Sequence, residues 1–341
     1  MLREYAQATA PDGRPFRIFT LTNGTGMHIS LMDWGASWLS CCVPVNGQAR
    51  EMLLGCKPAD YPRQQAYLGA SIGRYANRIA SARFRLNAET VKLTANQGVH
   101  QLHGGYGFDK RRWAVEKCGE NFVRFCLFSA HGDQGFPGNL QISVTYRLTE
   151  DNCVQITFDG LADRDTPLNL TNHAYFNLND ARRGTDIRGH ALQLNADYFL
   201  PVDSDGIPNA PLKSVQYTSF DFTEEKPIGL DFMQEEQRLT KGYDHAFLLN
   251  PQTDKPCAIL TALDRSVSLQ VFTSQPALQV YSGNYLAGTP NRDGGEYADY
   301  AGIALETQAL PDTPNHPEWL RFGGISKAGQ PYHHWTEYRF C

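Results

Sequence analysis

Five short segments of the chain set ionisable or amide side chains among hydrophobic neighbours, and chemistry is expected there. One reads Gly-Ile-Ala-Leu-Glu-Thr-Gln and ends at Gln308. Strand alternation places Ala304, Glu306 and Gln308 on one face. A lone glutamate in a hydrophobic strand is a candidate general base, because partial burial raises the pKa of a carboxyl. A salt bridge at the rim of the sheet is the alternative for Glu306.

A second segment runs from Asn169 to Leu178 and alternates as a strand would. One face places His173 between Thr171 and Tyr175, while the opposite face is mostly hydrophobic. Histidine titrates near neutral pH and is the commonest general acid or base. His173 and Tyr175 therefore suit a sugar-binding wall with a proton donor, although a solvated face would show the same pattern.

Two further segments offer hydrogen-bonding groups. Gly-Arg-Tyr-Ala-Asn-Arg-Ile contains Asn77 and Arg78, which are suited to donating to sugar hydroxyls because arginine holds its donors in a fixed fork. Asp244 opens the strand-like Asp-His-Ala-Phe-Leu-Leu, where a carboxylate needs a partner. On the segment before the glutamate strand, Gln279 and Tyr281 share a face. A solvated loop and a turn-capping aspartate are the structural alternatives.

The fifth segment, His-Gln-Leu-His-Gly-Gly, begins at His100. Two glycines allow close backbone approach, so His103 is expected at the lip of a cleft. The His-x-x-His spacing admits a metal site, but two histidines without a third ligand are weak support, and we expect no metal.

The elements that must position these residues are strands. Residues 141–148 and 154–158 alternate on either side of a polar turn, and similar pairs flank residues 87–89 and 119–121. Residues 266–271 form another strand, and only brief helical turns are expected, near residues 58–67 and 230–239. Without a repeat or linker, residues 1–341 are expected to form a single all-β domain, a sandwich of long antiparallel sheets.

Composition narrows the class of function. The chain has 31 basic and 36 acidic residues and a net charge of −5, which favours neither nucleic acid nor an anionic membrane as a partner. No secretory signal or long apolar stretch is visible. The eight cysteines show no metal-like spacing and are expected to be reduced thiols of a cytoplasmic protein. Protein partners cannot be read from these features.

Six motifs in order, from about residue 14 to the C-terminus, resemble the galactose mutarotase (aldose 1-epimerase) family: GRYANRIA, LHGG followed by FDKRRW, TNHAYFNL, GYDHAFLL, LQVYSGN and ALETQALPDTPNHPEW. The resemblance implies a β-supersandwich that needs no cofactor and interconverts the anomers of free aldohexoses such as galactose and glucose. It implies Glu306 as the base and His173 as the acid. The substrate-binding positions would be Asn77, Arg78, His103, Tyr175, Asp244 and Gln279. One departure is His100, where relatives often have asparagine.

The implied reaction suits these residues. Ring opening requires the C1 hydroxyl to lose a proton while the ring oxygen gains one, so a base and an acid are sufficient. With Glu306 as base and His173 as imidazolium, the acid limb of the pH profile would belong to Glu306 and the basic limb to His173.

Three alternatives remain at this stage. A hexose-6-phosphate 1-epimerase would need a cationic clamp, for which Arg74 and Arg78 are close in sequence. A non-catalytic carbohydrate-binding module would need neither acid nor base. A β-sandwich glycosidase would need two carboxylates, which Asp244 and Glu306 would supply.

Overall fold

The computed structural model describes residues 1–251 and 254–341, and strands dominate these ranges. In chain order they are β1 (Leu2–Thr9), β2 (Pro15–Thr22), β3 (His28–Met32), β4 (Ser37–Val45), β5 (Gln48–Glu51), β6 (Ser71–Ile72), β7 (Arg78–Ile79), β8 (Arg83–Leu86), β9 (Glu89–Lys92), β10 (Gln101–Leu102), β11 (Ala114–Gly119), β12 (Phe122–Ser129), β13 (Leu140–Leu148), β14 (Cys153–Ala162), β15 (Thr166–Pro167), β16 (Thr171–Asn172), β17 (Tyr175–Phe176), β18 (Ala191–Leu194), β19 (Tyr198–Phe199), β20 (Lys213–Ser214), β21 (Lys226–Pro227), β22 (Asp244–Leu248), β23 (Ala258–Thr261), β24 (Ser268–Thr273), β25 (Ala277–Tyr281), β26 (Ile303–Gln308), β27 (Ile325–Ser326) and β28 (Pro331–Phe340).

Within residues 1–251 and 254–341, helical structure is limited to short segments. One α-helix, α1, spans Gln237–Thr240. The 3₁₀ segments are Pro58–Asp60, Ala80–Ala82, Phe108–Lys110, Asp133–Gly135, Ala181–Arg183, Ile187–Gly189, Thr313–Asn315 and Pro317–Phe322. The helical turns expected near residues 58–67 and 230–239 are therefore present but brief. In the described ranges, no helix has the length and hydrophobicity that crossing a bilayer requires.

Three large sheets contain most of the strands. A five-stranded sheet has the order β1-β2-β3-β4-β5, a nine-stranded sheet the order β11-β12-β13-β14-β28-β24-β23-β18-β21, and a six-stranded sheet the order β17-β26-β25-β22-β19-β20. The pairings within them are antiparallel, as in β13 with β14 and β25 with β26. The expected all-β antiparallel architecture is confirmed.

The hairpins follow the alternation in the sequence. β13 and β14 enclose the polar turn at residues 149–152, and β8–β9 and β11–β12 are hairpins at the other two predicted positions. The strand expected from residue 266 begins at Ser268. All eight cysteines are free thiols.

The three large sheets share one hydrophobic core. Trp38 of β4, Phe176 of β17 and Tyr338 of β28 each come from a different sheet and are at most 1% exposed. Their ring centroids are 5.2 to 6.0 Å apart. Because these contacts join the sheets, they hold the six-stranded sheet in a fixed orientation relative to the other two.

The segment from Asn169 to Leu178 differs from the predicted continuous strand. β16 pairs with β6, whereas β17 pairs with β26, so the chain changes partners at His173. The His173 N–H donates to the Ala70 carbonyl, and its own carbonyl accepts from Gly69. A burial pattern cannot reveal this exchange, because the side chains of both short strands are buried.

Candidate active site

Strand register brings the predicted residues onto one face of the six-stranded sheet. Gln279 of β25 pairs with Glu306 of β26, and Ala304 pairs with both Tyr175 of β17 and Tyr281 of β25. Directly opposed residues in an antiparallel sheet share a face, as do residues two apart on one strand. Glu306, Gln279, Tyr175 and Tyr281 therefore project to the same side.

Above this face lies a cavity of about 680 Å³, which is within the usual size range of small-molecule sites. Seven of the eight residues predicted from the sequence line it: Asn77, Arg78, His103, His173, Tyr175, Asp244 and Glu306. The eighth, Gln279, does not line the cavity but is buried and donates from Nε2 to Asp244 Oδ1 at 2.6 Å. The residues are thus brought together from distant parts of the chain.

The two candidate proton-transfer groups are neighbours in this cavity. His173 Nε2 lies 3.6 Å from Glu306 Oε1, and both side chains are at most 5% exposed. Burial lowers the pKa of His173 to about 3. Burial, followed by the charge of Asp244, raises the pKa of Glu306 well above its usual value, and Arg78 acts in the opposite direction. A single proton shared by the pair therefore resides mainly on Glu306 when no ligand is bound.

His103 is held as a hydrogen-bond donor. Its Nδ1 accepts from the backbone N–H of Asn77 at 3.2 Å, so in the neutral ring the proton is on Nε2. Burial, followed by the neighbouring His173, lowers the pKa of His103, which keeps the ring neutral. His103 has a φ of +52°, and Gly104 follows at +77°. A Cβ at Gly104 would lie 2.2 Å from the Gly73 carbonyl, so the predicted close backbone approach is confirmed.

The cluster of His103, His173 and Glu306 has ligand atoms within 4.8 Å of one another, a spacing that a metal ion would accept. The His103 tautomer opposes this use. A metal at Nδ1 would displace the Asn77 N–H, and a metal at Nε2 would require the proton to move to Nδ1, against that same N–H. The hydrogen bonding fits proton transfer better than metal ligation.

Arg78 and Asp244 form the polar end of the cavity. Arg78 Nη1 lies 3.9 Å from Asp244 Oδ2, and Arg78 Nε donates to Gln97 Oε1 at 2.7 Å. Burial raises the pKa of Asp244, while Arg78 and Gln279 oppose this shift. The fixed guanidinium and carboxylate present donors and an acceptor to a ligand rich in hydroxyls.

The remaining residues of these motifs have structural roles. Arg74 is 1% exposed and donates to the carbonyls of Ser129, Ala130 and Pro137, so it does not contribute to a cationic clamp with Arg78. His100 does not line the main cavity. Its Nδ1 accepts from the Ser81 N–H.

Sequence analysis missed several residues that line the cavity, and two of them contact predicted site residues. Tyr67 lines it and lies with its ring centroid 4.6 Å from that of His103. Gln97 lines it as well and orients Arg78. Neither residue lies on an alternating strand, so the pattern that identified the other positions is absent. The only local signals are the glycines that follow them, Gly69 and Gly98.

Comparison with known proteins shows which family the chain matches. The family model described as aldose 1-epimerase matches residues 17–339. An aldose 1-epimerase of Haemophilus influenzae is 62% identical, with 99% of each chain covered. One from Escherichia coli is 52% identical over 100% of this chain and 99% of its own.

More distant proteins extend the match. A galactose mutarotase of Bos taurus is 37% identical over 92% of this chain and 91% of its own. The crystal structure of a galactose 1-epimerase from Lactobacillus acidophilus superposes with a TM-score of 0.87 at 29% identity, covering 100% of this chain and 98% of that one. The fold is galactose mutarotase-like, and the chain belongs to the aldose 1-epimerase family.

Proposed function

We propose that the protein is an aldose 1-epimerase that interconverts the α and β anomers of free aldohexoses, with galactose and glucose as substrates. The observation that carries the proposal is the 3.6 Å approach of His173 Nε2 to Glu306 Oε1 at a sugar-sized cavity. A binding module needs no such pair, whereas ring opening needs an acid and a base together.

In the proposed mechanism, Glu306 accepts the proton of the C1 hydroxyl while His173 donates a proton to the ring oxygen. The C1–O5 bond breaks and leaves a free aldehyde on the open-chain sugar. Rotation about C1–C2 exposes the other face of the carbonyl, and the same two residues reverse their roles as the ring closes. Each proton transfer contributes about 10²- to 10⁴-fold to the rate, and no cofactor is required.

Sugar binding must move the shared proton to His173, because His173 is the donor and Glu306 the acceptor when the ring opens. Before the sugar binds, the proton is mainly on Glu306, because burial raises the pKa of Glu306 and lowers that of His173. The neutral His103 donates from Nε2, which suits it to stabilise the ring oxygen without competing for the proton. We therefore propose a shared proton as the starting state, where the sequence predicted a His173 imidazolium; the opposite pKa shifts of the two groups support it.

The other residues hold the substrate. Arg78, Asp244 and Asn77 would bind the remaining hydroxyls, so that the open chain rotates without leaving. Tyr175 would form a wall beside His173, since their ring centroids are 4.9 Å apart. Gln279 would act through Asp244, to which it donates. We further propose that residues 1–341 act as one domain in the cytoplasm, in hexose metabolism.

The direct test is polarimetry of freshly dissolved α-D-galactose with catalytic amounts of the purified protein. We expect a faster approach to the equilibrium rotation than in buffer, with the final rotation unchanged because an epimerase alters only the rate. No acceleration with galactose or glucose would overturn the proposed function. A changed final rotation would indicate different chemistry.

A further inference from the structure

Four aromatic rings surround the imidazole of His173. Tyr67 lies with its ring plane at 22° and its centroid 5.8 Å away, and Tyr175 lies at 34° and 4.9 Å. His103 and Tyr281 approach in edge geometry, at 5.2 and 6.4 Å. Tyr67 and Tyr175 thus present ring faces to the imidazole at distances where cations interact with aromatic rings.

The backbone fixes Tyr67 relative to His173. The Ala70 N–H donates to the Tyr67 carbonyl, the His173 N–H donates to the Ala70 carbonyl, and the Gly69 N–H donates to the His173 carbonyl. Tyr67 has a φ of +56°. The turn at residues 67–70 and the strand break at His173 are therefore one hydrogen-bonded unit, which fixes the backbone of Tyr67 relative to that of His173.

The aromatic rings around His173 address a difficulty of the reaction, which is the protonation of a buried histidine. His173 must carry a proton in a buried site, where water cannot stabilise the charge, and burial lowers its pKa to about 3. The ionisable groups that surround it are Glu306, His103, Tyr67, Tyr175 and Tyr281, with Arg78 and Asp244 in the same cavity. Apart from Glu306, the groups closest to the ring are aromatic, and a ring face carries the negative part of the quadrupole.

We propose that Tyr67 is a positioning residue that acts through His173, its ring face stabilising the imidazolium that donates its proton to the ring oxygen when the sugar ring opens. The inference rests on the proposed function, since it assigns His173 the acid role. The ring, not the hydroxyl, carries the effect. Phenylalanine at position 67 should therefore still stabilise the imidazolium, whereas a side chain without a ring should not.

The first experiment measures His173 directly and does not depend on turnover. Ring ¹⁵N NMR follows protonation of His173 in a Glu306→Gln protein, where the coupled carboxyl is absent. We expect His173 to become protonated within the pH range in which circular dichroism shows a folded chain. Adding Tyr67→Leu should lower its pKa, and adding Tyr67→Phe should not. No protonation in the folded range, or equal pKa values with tyrosine and leucine, overturns the proposal.

The second experiment measures turnover of galactose in proteins with Glu306 intact. Tyr67→Leu should lower kcat by about fivefold or more with a smaller change in KM, and Tyr67→Phe should stay within about twofold. Tyr67→Asn serves as a second ringless variant, because asparagine tolerates positive φ and keeps the backbone turn. Tyr198→Leu, on β19 outside the cavity, controls for loss of an exposed tyrosine.

The outcomes separate the two proposals. A loss with phenylalanine equal to that with leucine would assign the effect to the hydroxyl and overturn the role of the ring. Unchanged kcat in both Tyr67→Leu and Tyr67→Asn would also overturn it. If wild type fails to accelerate mutarotation, the proposed function fails, while the NMR titration still reports whether Tyr67 stabilises protonated His173.

Discussion

At the scale of single residues, the site depends on how burial changes the acidity of two neighbouring groups. Glu306 and His173 are both almost fully buried and only 3.6 Å apart, so their titrations are coupled. Turnover requires one proton in the pair, because one group must donate while the other accepts. If both groups are protonated, neither can act as the base; if neither is protonated, neither can act as the acid.

The first prediction is the pH dependence of kcat/KM, which reports the pKa values of the protein before sugar binds. A second proton binds only as pH falls towards the lowered pKa of His173, about 3, and the last proton leaves as pH rises through the raised pKa of Glu306. The acid limb should therefore belong to His173 and the alkaline limb to Glu306, the reverse of the assignment made from sequence. Polarimetry across pH measures both limbs. An acid limb near about 4.3, the ordinary glutamate pKa, would contradict this account.

The second prediction concerns Gln279. Gln279→Leu removes the 2.6 Å hydrogen bond to Asp244 and leaves that carboxylate short of a donor, which costs about 1.5–3 kcal/mol. Because Asp244 is proposed to hold the sugar, KM should rise about 10- to 100-fold and kcat should change little. The matched control is Gln275→Leu, which removes a buried amide outside the cavity. Similar KM values for the two variants would show that Gln279 does not act through Asp244.

At the scale of elements, short irregular segments place the catalytic residues on the sheet. The turn at residues 67–70 supports the break in the strand at His173 through backbone hydrogen bonds. Gly69 makes this possible, because it has a φ of +61° and a Cβ there would lie 2.0 Å from the Trp38 carbonyl oxygen. Backbone packing at this turn thus fixes the position of the proposed acid.

The third prediction tests the close approach of Gly69 to the Trp38 carbonyl oxygen. Gly69→Ala adds both the strain of positive φ and a backbone clash, so we expect a loss of about 2–4 kcal/mol in the free energy of unfolding. Gly47→Ala is the matched control: its φ is +76° and no atom lies within 4 Å of the added Cβ, so only about 1 kcal/mol should be lost. Urea unfolding compares the two. Equal losses in the free energy of unfolding would mean that only the positive φ, and not the backbone clash, destabilises Gly69→Ala.

Sequence patterning accounts for the regular elements better than for these turns. Alternation predicted the hairpin of β13 and β14, because β13 buries every second side chain more deeply. It also predicted the face that carries Glu306, although β26 is buried on both faces. It did not predict that the strand containing His173 changes partners, since that depends on hydrogen bonds from residues a hundred positions away. Tyr67 and Gln97 were missed for the same reason, because both reach the cavity from loops.

At the scale of the whole molecule, charge bears on which sugars the cavity accepts. The ionisable side chains that line it include the carboxyls of Asp60, Asp244 and Glu306 and two arginines, of which Arg78 is engaged by Asp244 and Gln97. The other, Arg63, is largely exposed, and the chain has a net charge of −5. A phosphate would therefore find each of the two arginines already beside a carboxylate, on a protein whose net charge is negative.

The fourth prediction is a preference for unphosphorylated sugars. We expect kcat/KM for galactose 6-phosphate to be at least about tenfold below that for galactose, because like charges oppose binding. Raising the ionic strength should narrow the difference, since salt screens the repulsion. NMR of the anomeric protons measures both rates. Equal or faster turnover of the phosphorylated sugar would favour the hexose-6-phosphate alternative.

The central claim, that Glu306 and His173 move the protons of ring opening, is tested most directly by magnetisation transfer between the α and β H1 signals of equilibrated galactose. Wild-type protein should accelerate this exchange, and Glu306→Gln and His173→Asn should each slow it by about 10²- to 10⁴-fold while remaining folded. Near-normal exchange in either folded variant would contradict the account.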